Sequence, residues 1–332
     1  MRYRSYANLS DDIREHLWKI QTNSYDLVVG IPRSGMVPAY IIGLHLNCDV
    51  TDFGGFLSNI QLQRGIIRKK NTVHGKAHEA KRILLVDDSI LSGRSLRSVL
   101  KKVPVDLRSR IDTLVVYADQ AKRKDVDFVL SAIPEPRVFE WNIFHRDVLK
   151  KACVDIDGVL CLDPTEDQND DGVRYVDFLE TAQPFIIPTH PIHSLVTNRL
   201  EKYRRHTEAW LKINKIEYQN LMMLDLPTKK ARQEQEDYTK HKAEYFASNP
   251  ELEIFIESDF KQARQISTRA AKAVYCLDSN LMLEPGLALK FKRNWRGAFK
   301  EMAHMMLNKL PYQYRRQVIS RIKKIITRVR KI

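Results

Sequence analysis

Two stretches of the sequence put paired carboxylates at the end of an apolar run. In the first, Lys81-Arg82-Ile83-Leu84-Leu85-Val86 leads into Asp87-Asp88, and the turn Ser89-Ile90-Leu91-Ser92-Gly93-Arg94-Ser95 then opens a helix reaching about Lys102. Unpaired N–H groups, the hydroxyls of Ser92 and Ser95 and the positive end of a helix make such a turn a nest for phosphate. The carboxylates repel phosphate, but they accept hydrogen bonds from sugar hydroxyls or hold Mg²⁺ through water. A ligand carrying both a ribose and a phosphate satisfies both halves, although an acid pair at a strand end, taken alone, also serves as a helix N-cap. In the second stretch, Lys151 to Leu160, Asp155 and Asp157 stand at i and i+2, on one side of an extended chain. One of these carboxylates can attack phosphorus while the other gives and takes a proton, and Gly158 permits the turn that aims both. Strand-end turn residues are the plainer reading of the same pair.

These residues need scaffolds. Asp26 to Ile31 is a short apolar run followed by Pro32-Arg33-Ser34-Gly35 and a helical stretch from Val37 to Leu46; Ile111 to Tyr117 predicts a third strand and Arg137 to Trp141 a fourth. Further on, Ser194 to Arg199 ends a strand in Thr197 and Asn198, Lys242 offers a cation, Ile254 to Asp259 ends a strand in acids, and Ala273 to Asp278 predicts a last strand. Strand and helix in alternation imply parallel sheets whose ligands bind beyond the strand ends. The expected class is α/β: two parallel-sheet domains, residues 1–148 and 149–287, and a basic amphipathic helical tail, 288–332.

Ile83 to Ser95, ILLVDDSILSGRS, resembles the phosphoribosyl-pyrophosphate (PRPP) motif of type I phosphoribosyltransferases, and Gly30-Ile31-Pro32-Arg33-Ser34-Gly35 resembles their pyrophosphate loop. The resemblance implies that Asp87 and Asp88 contact the ribose hydroxyls and steady a developing oxocarbenium charge. It implies also that Ser89, Ser92, Gly93, Arg94 and Ser95 bind the 5-phosphate and Arg33, Ser34 and Gly35 the leaving pyrophosphate. The orotate branch adds a catalytic loop R-K-x-x-x-x-H-G. Arg68-Lys69-Lys70-Asn71-Thr72-Val73-His74-Gly75 has that spacing, with Thr72 where that branch has lysine, which makes Arg68 and Lys69 PRPP ligands and His74 a catalytic candidate.

The order D-x-D-G, T-N, K, then acid resembles the Mg²⁺-dependent phosphatases of the haloacid dehalogenase (HAD) superfamily, with a Rossmann-like sheet. Asp155 is then the nucleophile, Asp157 the general acid/base, and Thr197, Asn198 and Lys242 the phosphate clamp, with Lys240 and Lys229 as alternatives. Asp155, the backbone carbonyl of Asp157 and Asp259 would hold Mg²⁺, Glu257 being the other acid of that motif. Fused in one chain, the two resemble enzymes that furnish ribofuranose for bacterial surface polysaccharides: PRPP donates 5-phosphoribose to a glycan or lipid-linked glycan, and the phosphatase removes the 5-phosphate. Two other readings stand beside it, a nucleobase phosphoribosyltransferase with a fused nucleotidase and a non-catalytic PRPP sensor.

Net charge is +14 on 332 residues, yet 14 of the 55 Lys and Arg and only one acid, Glu301, lie between Lys290 and Ile332, so the rest of the chain is nearly neutral at +1. Val318, Ile319, Ile322, Ile325, Ile326, Val329 and Ile332 recur at helical spacing among those basic residues. A basic amphipathic helix of this kind lies on an anionic membrane, docks on the body or on a second copy in a homodimer, or attracts nucleic acid; aromatic stacking residues near it are too few to favour the last. Cys48, Cys153, Cys161 and Cys276 form no C-x-x-C pair, which disfavours a zinc site and fits a reducing compartment. No apolar signal core follows Met1 and no run of about 18 apolar residues occurs. A cytoplasmic protein, peripheral at the inner face of the cell membrane, is expected.

Overall fold

A computed structural model describes residues 1–63, 75–234 and 239–285. The chain divides between Trp141 and Asn142 into two units, a little ahead of the boundary expected at 148/149.

In the N-terminal unit five strands form a parallel sheet in the order β3-β2-β4-β5-β6: β2 (Leu27–Gly30), β3 (Asp49–Asp52), β4 (Ile83–Ile90), β5 (Ile111–Ala118) and β6 (Phe128–Ala132). The middle strands read as unbroken apolar runs because both faces are covered: every residue of β2 is buried, and β4 is buried through Val86. Leu85 and Val29 pack on one side with Phe56 and Leu96, and Leu84 and Val28 on the other with Ile13 and Ile42. Strand order reverses between β2 and β4, the position where an open α/β sheet leaves a crevice for ligands. The sequence places the Pro32–Gly35 loop after the first of these strands and the acid pair on the second.

Arg137–Trp141 was expected as the fourth strand of this sheet, and the structure corrects that. Arg137–Phe139 is β7, which pairs in parallel with β1 (Arg2–Arg4) in a separate two-stranded sheet. The sheet edge is β6, where Asp127 Oδ2 accepts from both the N–H and the hydroxyl of Thr113 at 2.7 Å and locks the strand onto β5. Strand β4 also runs four residues beyond Val86, so Asp87 and Asp88 lie within it rather than at its end.

The C-terminal unit holds a six-stranded sheet in the order β10-β9-β8-β11-β12-β13: β8 (Ala152–Val154), β9 (Ile192–Leu200), β10 (Tyr218–Leu224), β11 (Ile254–Glu257), β12 (Ala273–Cys276) and β13 (Leu281–Leu283). All pairs are parallel except β12 with β13. Order reverses between β8 and β11, again beside the acid motif. The strand expected to run to Leu160 stops at Val154, because the N–H groups of Leu160 and Cys161 turn back to the Ile156 carbonyl. Strands β3, β6, β10 and β13 were not expected. All four cysteines are buried and unpaired with one another. The tail 288–332 lies outside the described residues, among which no helix is long and apolar enough to cross a membrane.

Candidate functional sites

The Pro32–Gly35 loop is drawn over the acid pair. Ile31 N–H donates to Val86 O at 2.9 Å, continuing the β2–β4 pairing, and the peptide between Pro32 and Arg33 is cis. Gly35 follows at such close quarters that a Cβ there would stand 2.5 Å from Ile31 O and 2.9 Å from Asp87 Oδ1. No other residue fits the contact without moving the loop or the acid. Ser34 Oγ then donates to Asp88 Oδ1 at 2.7 Å, while Arg33 points outward and is exposed.

The two acids differ. Asp88 is buried and accepts from Ser34, from Trp141 Nε1 at 2.7 Å and from Ser89 Oγ at 3.3 Å. Asp87 Oδ1 accepts its neighbour's N–H at 2.9 Å, and desolvation, with the charge and side-chain hydrogen bond of the adjacent Asp88, pushes its carboxyl up to about 8. Beyond β4, Ser92, Arg94 and Ser95 are exposed at the start of the helix Arg94–Lys102, whose N-cap is Gly93 and whose Leu96 is buried in the core. Arg94 donates to Ser92 Oγ from both its backbone N–H and Nε, at 3.4 Å each, which folds the turn on itself with its outward face open. Arg68, Lys69 and His74 lie outside the described residues; the chain leaves toward them at Gln61 and returns at Lys76, where the two residues form an antiparallel bridge.

In the C-terminal unit Asp155 follows β8 and its N–H donates to Ile256 O of β11 at 3.0 Å. Its Oδ1 accepts from Ile156 N–H at 2.8 Å and its Oδ2 from Lys242 Nζ at 2.6 Å. Lys242, on the helix Lys240–Ser248, also donates to Glu257 Oε2 at 2.8 Å and to Gln262 Oε1 at 3.4 Å. The two carboxylates hold the lysine charged, its pKa raised although burial alone works the other way. Burial, aided by the Asp155 charge and opposed by Lys242, lifts Glu257 to about 8. Of the lysines weighed for the clamp, Lys240 is exposed and pairs with Glu244, and Lys229 reaches the Asn169 carbonyl.

Asp157 has a different partner. Arg199 Nε meets both its oxygens, at 3.1 and 3.2 Å, and Nη2 meets Oδ1 at 2.7 Å. That guanidinium has no solvent exposure and lies 5.8 Å from the Phe178 ring and 6.0 Å from Trp210. Thr197 is buried and its Oγ1 accepts from Arg199 N–H at 3.2 Å; Asn198 Nδ2 donates to Gln262 Oε1 at 3.1 Å, and Asn198 Oδ1 is buried without a partner. Asp259 is exposed and caps the helix Phe260–Ala270 by accepting from Gln262 N–H at 2.8 Å.

The structure thus joins Asp155 to Lys242 and Glu257, and ties Asp157 to Arg199, but it does not gather Asp155, Asp157 and Asp259 around one point. Among the described residues no three His, Cys, Asp or Glu side chains converge as a metal would need. Of the acids named for Mg²⁺, the Asp155 carboxylate is engaged by Lys242 and Ile156 N–H, that of Asp157 by Arg199, and that of Asp259 by the helix it caps. Gly158 turns the chain with φ +75°, and a Cβ there would stand 2.4 Å from Ser258 Oγ.

Residues 4–151 match the family model for the phosphoribosyl transferase domain. This part of the chain is a phosphoribosyltransferase-type domain. No curated protein matches the sequence. Among solved structures, the chain is similar to the Helicobacter pylori xanthine-guanine-hypoxanthine phosphoribosyltransferase, at 22% identity over 43% of this chain and 93% of that one, with a TM-score of 0.31. It is similar also to a purine phosphoribosyltransferase from Pyrococcus horikoshii, at 17% identity over 42% of this chain and 92% of that one, with a TM-score of 0.30.

Four residues of these sites escaped the sequence reading. Trp141 lies 53 positions from the acid it touches, and only the fold of β7 brings it there. Arg199 follows Thr197 by two residues, so the period of a strand could have flagged it as sharing a side with Thr197. Gln262 reads as an ordinary helical residue. Asp163, half-buried, is pushed up to about 6 by burial and by the charges of Asp157, Asp155 and Asp278, and stood in a loop with no motif around it.

Proposed function

We propose that the phosphoribosyltransferase-type domain transfers 5-phosphoribose from PRPP to a glycan hydroxyl, and that the C-terminal unit then removes the 5-phosphate. The observation that supports it most is the Ser34–Asp88 contact at 2.7 Å. It brings a loop suited to pyrophosphate against an acid pair suited to ribose hydroxyls, with the Ser92–Ser95 turn open for the 5-phosphate. The acceptor oxygen attacks C1 as the C1–pyrophosphate bond breaks; its proton is released and the electron pair leaves with pyrophosphate. Asp88 stands by the developing positive charge on the ribose. Mg²⁺ bound to the donor's pyrophosphate would supply neutralisation of the leaving group's charge. Inversion at C1 leaves a β-ribofuranosyl 5-phosphate.

In the C-terminal unit Asp155 is the nucleophile of this reading, supported by its place after β8 at the strand-order reversal, beside a charged lysine that attracts a phosphate. Asp157 is its proton carrier, held in place by Arg199, and Thr197, Asn198 and Lys242 are its clamp. Asp155, Asp157 and Asp259 remain the residues to test as metal ligands. The tail, residues 288–332, holds the enzyme to an anionic membrane where a lipid-linked acceptor resides.

The test incubates the Asp155→Asn chain with PRPP, Mg²⁺ and either a membrane extract or a panel of free nucleobases. Pyrophosphate release with the extract alone, and a product that keeps its 5-phosphate, is the expected result. Release with a base would make this a nucleobase enzyme, and a dephosphorylated product would remove Asp155 from the chemistry. Co-sedimentation with anionic vesicles, lost on truncation after residue 287, checks the tail.

A further inference from the structure

The ring of Trp141 belongs to an aromatic cluster. Tyr117 of β5 lies 5.2 Å from Phe139, Phe139 4.9 Å from Trp141 and Tyr117 6.3 Å from Trp141, all three rings within 18° of parallel. The cluster is tied at several points: Tyr117 Oη donates to Asp12 at 2.8 Å, Arg137 Nη2 donates to Ile90 O at the end of β4 at 2.6 Å, and Glu140 N–H donates to Arg4 O at 3.0 Å. Tyr6, whose N–H donates to Glu140 at 2.7 Å, lies 5.4 Å from Trp141. So many constraints fix the indole, and its single N–H is spent on Asp88 Oδ2 at 2.7 Å.

A carboxylate offers two lone-pair directions on each oxygen. Ser34 takes one on Oδ1; Trp141, with the longer contact from Ser89, takes up Oδ2. The donors leave acceptor capacity on Oδ1 and set the plane in which it lies.

We infer that Trp141 is a positioning residue: its indole N–H fixes the rotamer of Asp88 so that the acid presents itself to the ribose hydroxyls of PRPP. The inference rests on the PRPP reading of this site. Its consequence is selective. Losing the N–H should weaken a ligand that has a ribose and leave a ligand that has only the pyrophosphate untouched, whereas a ring that merely packs would affect both or neither.

Calorimetric titration of the full chain with PRPP and with pyrophosphate, each with Mg²⁺, tests it. Trp141→Phe keeps a ring in the cluster and removes the donor; the PRPP Kd should rise about tenfold, as for one lost buried hydrogen bond, and the pyrophosphate Kd should stay within about twofold. In an Asp88→Ala background the same substitution should add nothing, because the residue acts through that acid. Trp141→His, whose Nε2 occupies the ring position of the indole nitrogen, should recover part of the affinity and serves if the Phe variant does not fold. Equal loss for both ligands, no loss for either, or a loss that adds to that of Asp88→Ala overturns the inference. Failure of the unsubstituted chain to bind PRPP overturns the reading of the site, and the positioning role with it.

Discussion

The ammonium of Lys242 donates to Asp155 Oδ2 at 2.6 Å from a position without solvent exposure. Glu257 shares the same ammonium at 2.8 Å, so one buried cation answers two buried acids. Removing the cation leaves both acids unpaired in a low-dielectric site. Lys242→Met should destabilise the C-terminal unit by about 3–5 kcal/mol, and Lys242→Met with Glu257→Gln should restore part of that loss by removing one of the two acids. Urea unfolding midpoints of the three proteins measure it.

The Arg199–Asp157 pair depends on the planar fork of a guanidinium. Lysine supplies a single ammonium and cannot meet Nε and Nη2 contacts together. Arg199→Lys should destabilise by about 1–3 kcal/mol, and a double-mutant cycle with Asp157→Asn should show coupling of at least about 1 kcal/mol. Additive effects would show that the pair contributes nothing specific.

Asp87 gives the N-terminal unit a pH signature. Its carboxyl moves from 3.8 to about 8 on folding, because burial and the Asp88 charge penalise the anion. The proton it retains stabilises the fold fully below the unfolded value, and that contribution is lost as the pH rises through the folded one. Between about pH 4 and 8 the wild-type protein should lose stability relative to Asp87→Asn, by up to about 1.4 kcal/mol per pH unit. Thermal melts of both proteins across that range should converge at the acid end and separate toward pH 8; parallel curves would assign the shift elsewhere.

Gly35→Ala probes the loop. The added methyl would meet Ile31 O at 2.5 Å and Asp87 Oδ1 at 2.9 Å, and neither the backbone nor the acid can yield without disturbing the Ser34–Asp88 contact. Overpacking of this kind costs about 1–3 kcal/mol, and PRPP affinity should fall with stability. Wild-type PRPP affinity in this variant would mean that the loop is not held by the acid pair.

Much of the architecture was legible because parallel strands buried on both faces spell themselves out as apolar runs: Leu27–Gly30, Ile83–Val86 and Ile254–Ile256 needed no partner to be recognised. The acid motifs and the turns after them were legible for the same reason, since turn chemistry is local. Strands such as Phe128–Ala132 and Leu281–Leu283 were not, being short edge elements that depend on a neighbour for half their hydrogen bonds.

By itself the sequence determined the apolar middle strands of the two sheets and the acid motifs and turns carried on or just after them. Only the tertiary structure decided what those side chains touch. Asp88 meets Trp141, Asp157 meets Arg199 and Asp155 meets Lys242 across 53, 42 and 87 residues of chain. A buried carboxylate must be answered by some donor, yet which donor answers it depends on strand order and register, and these are set by packing across the whole unit rather than by spacing along the chain.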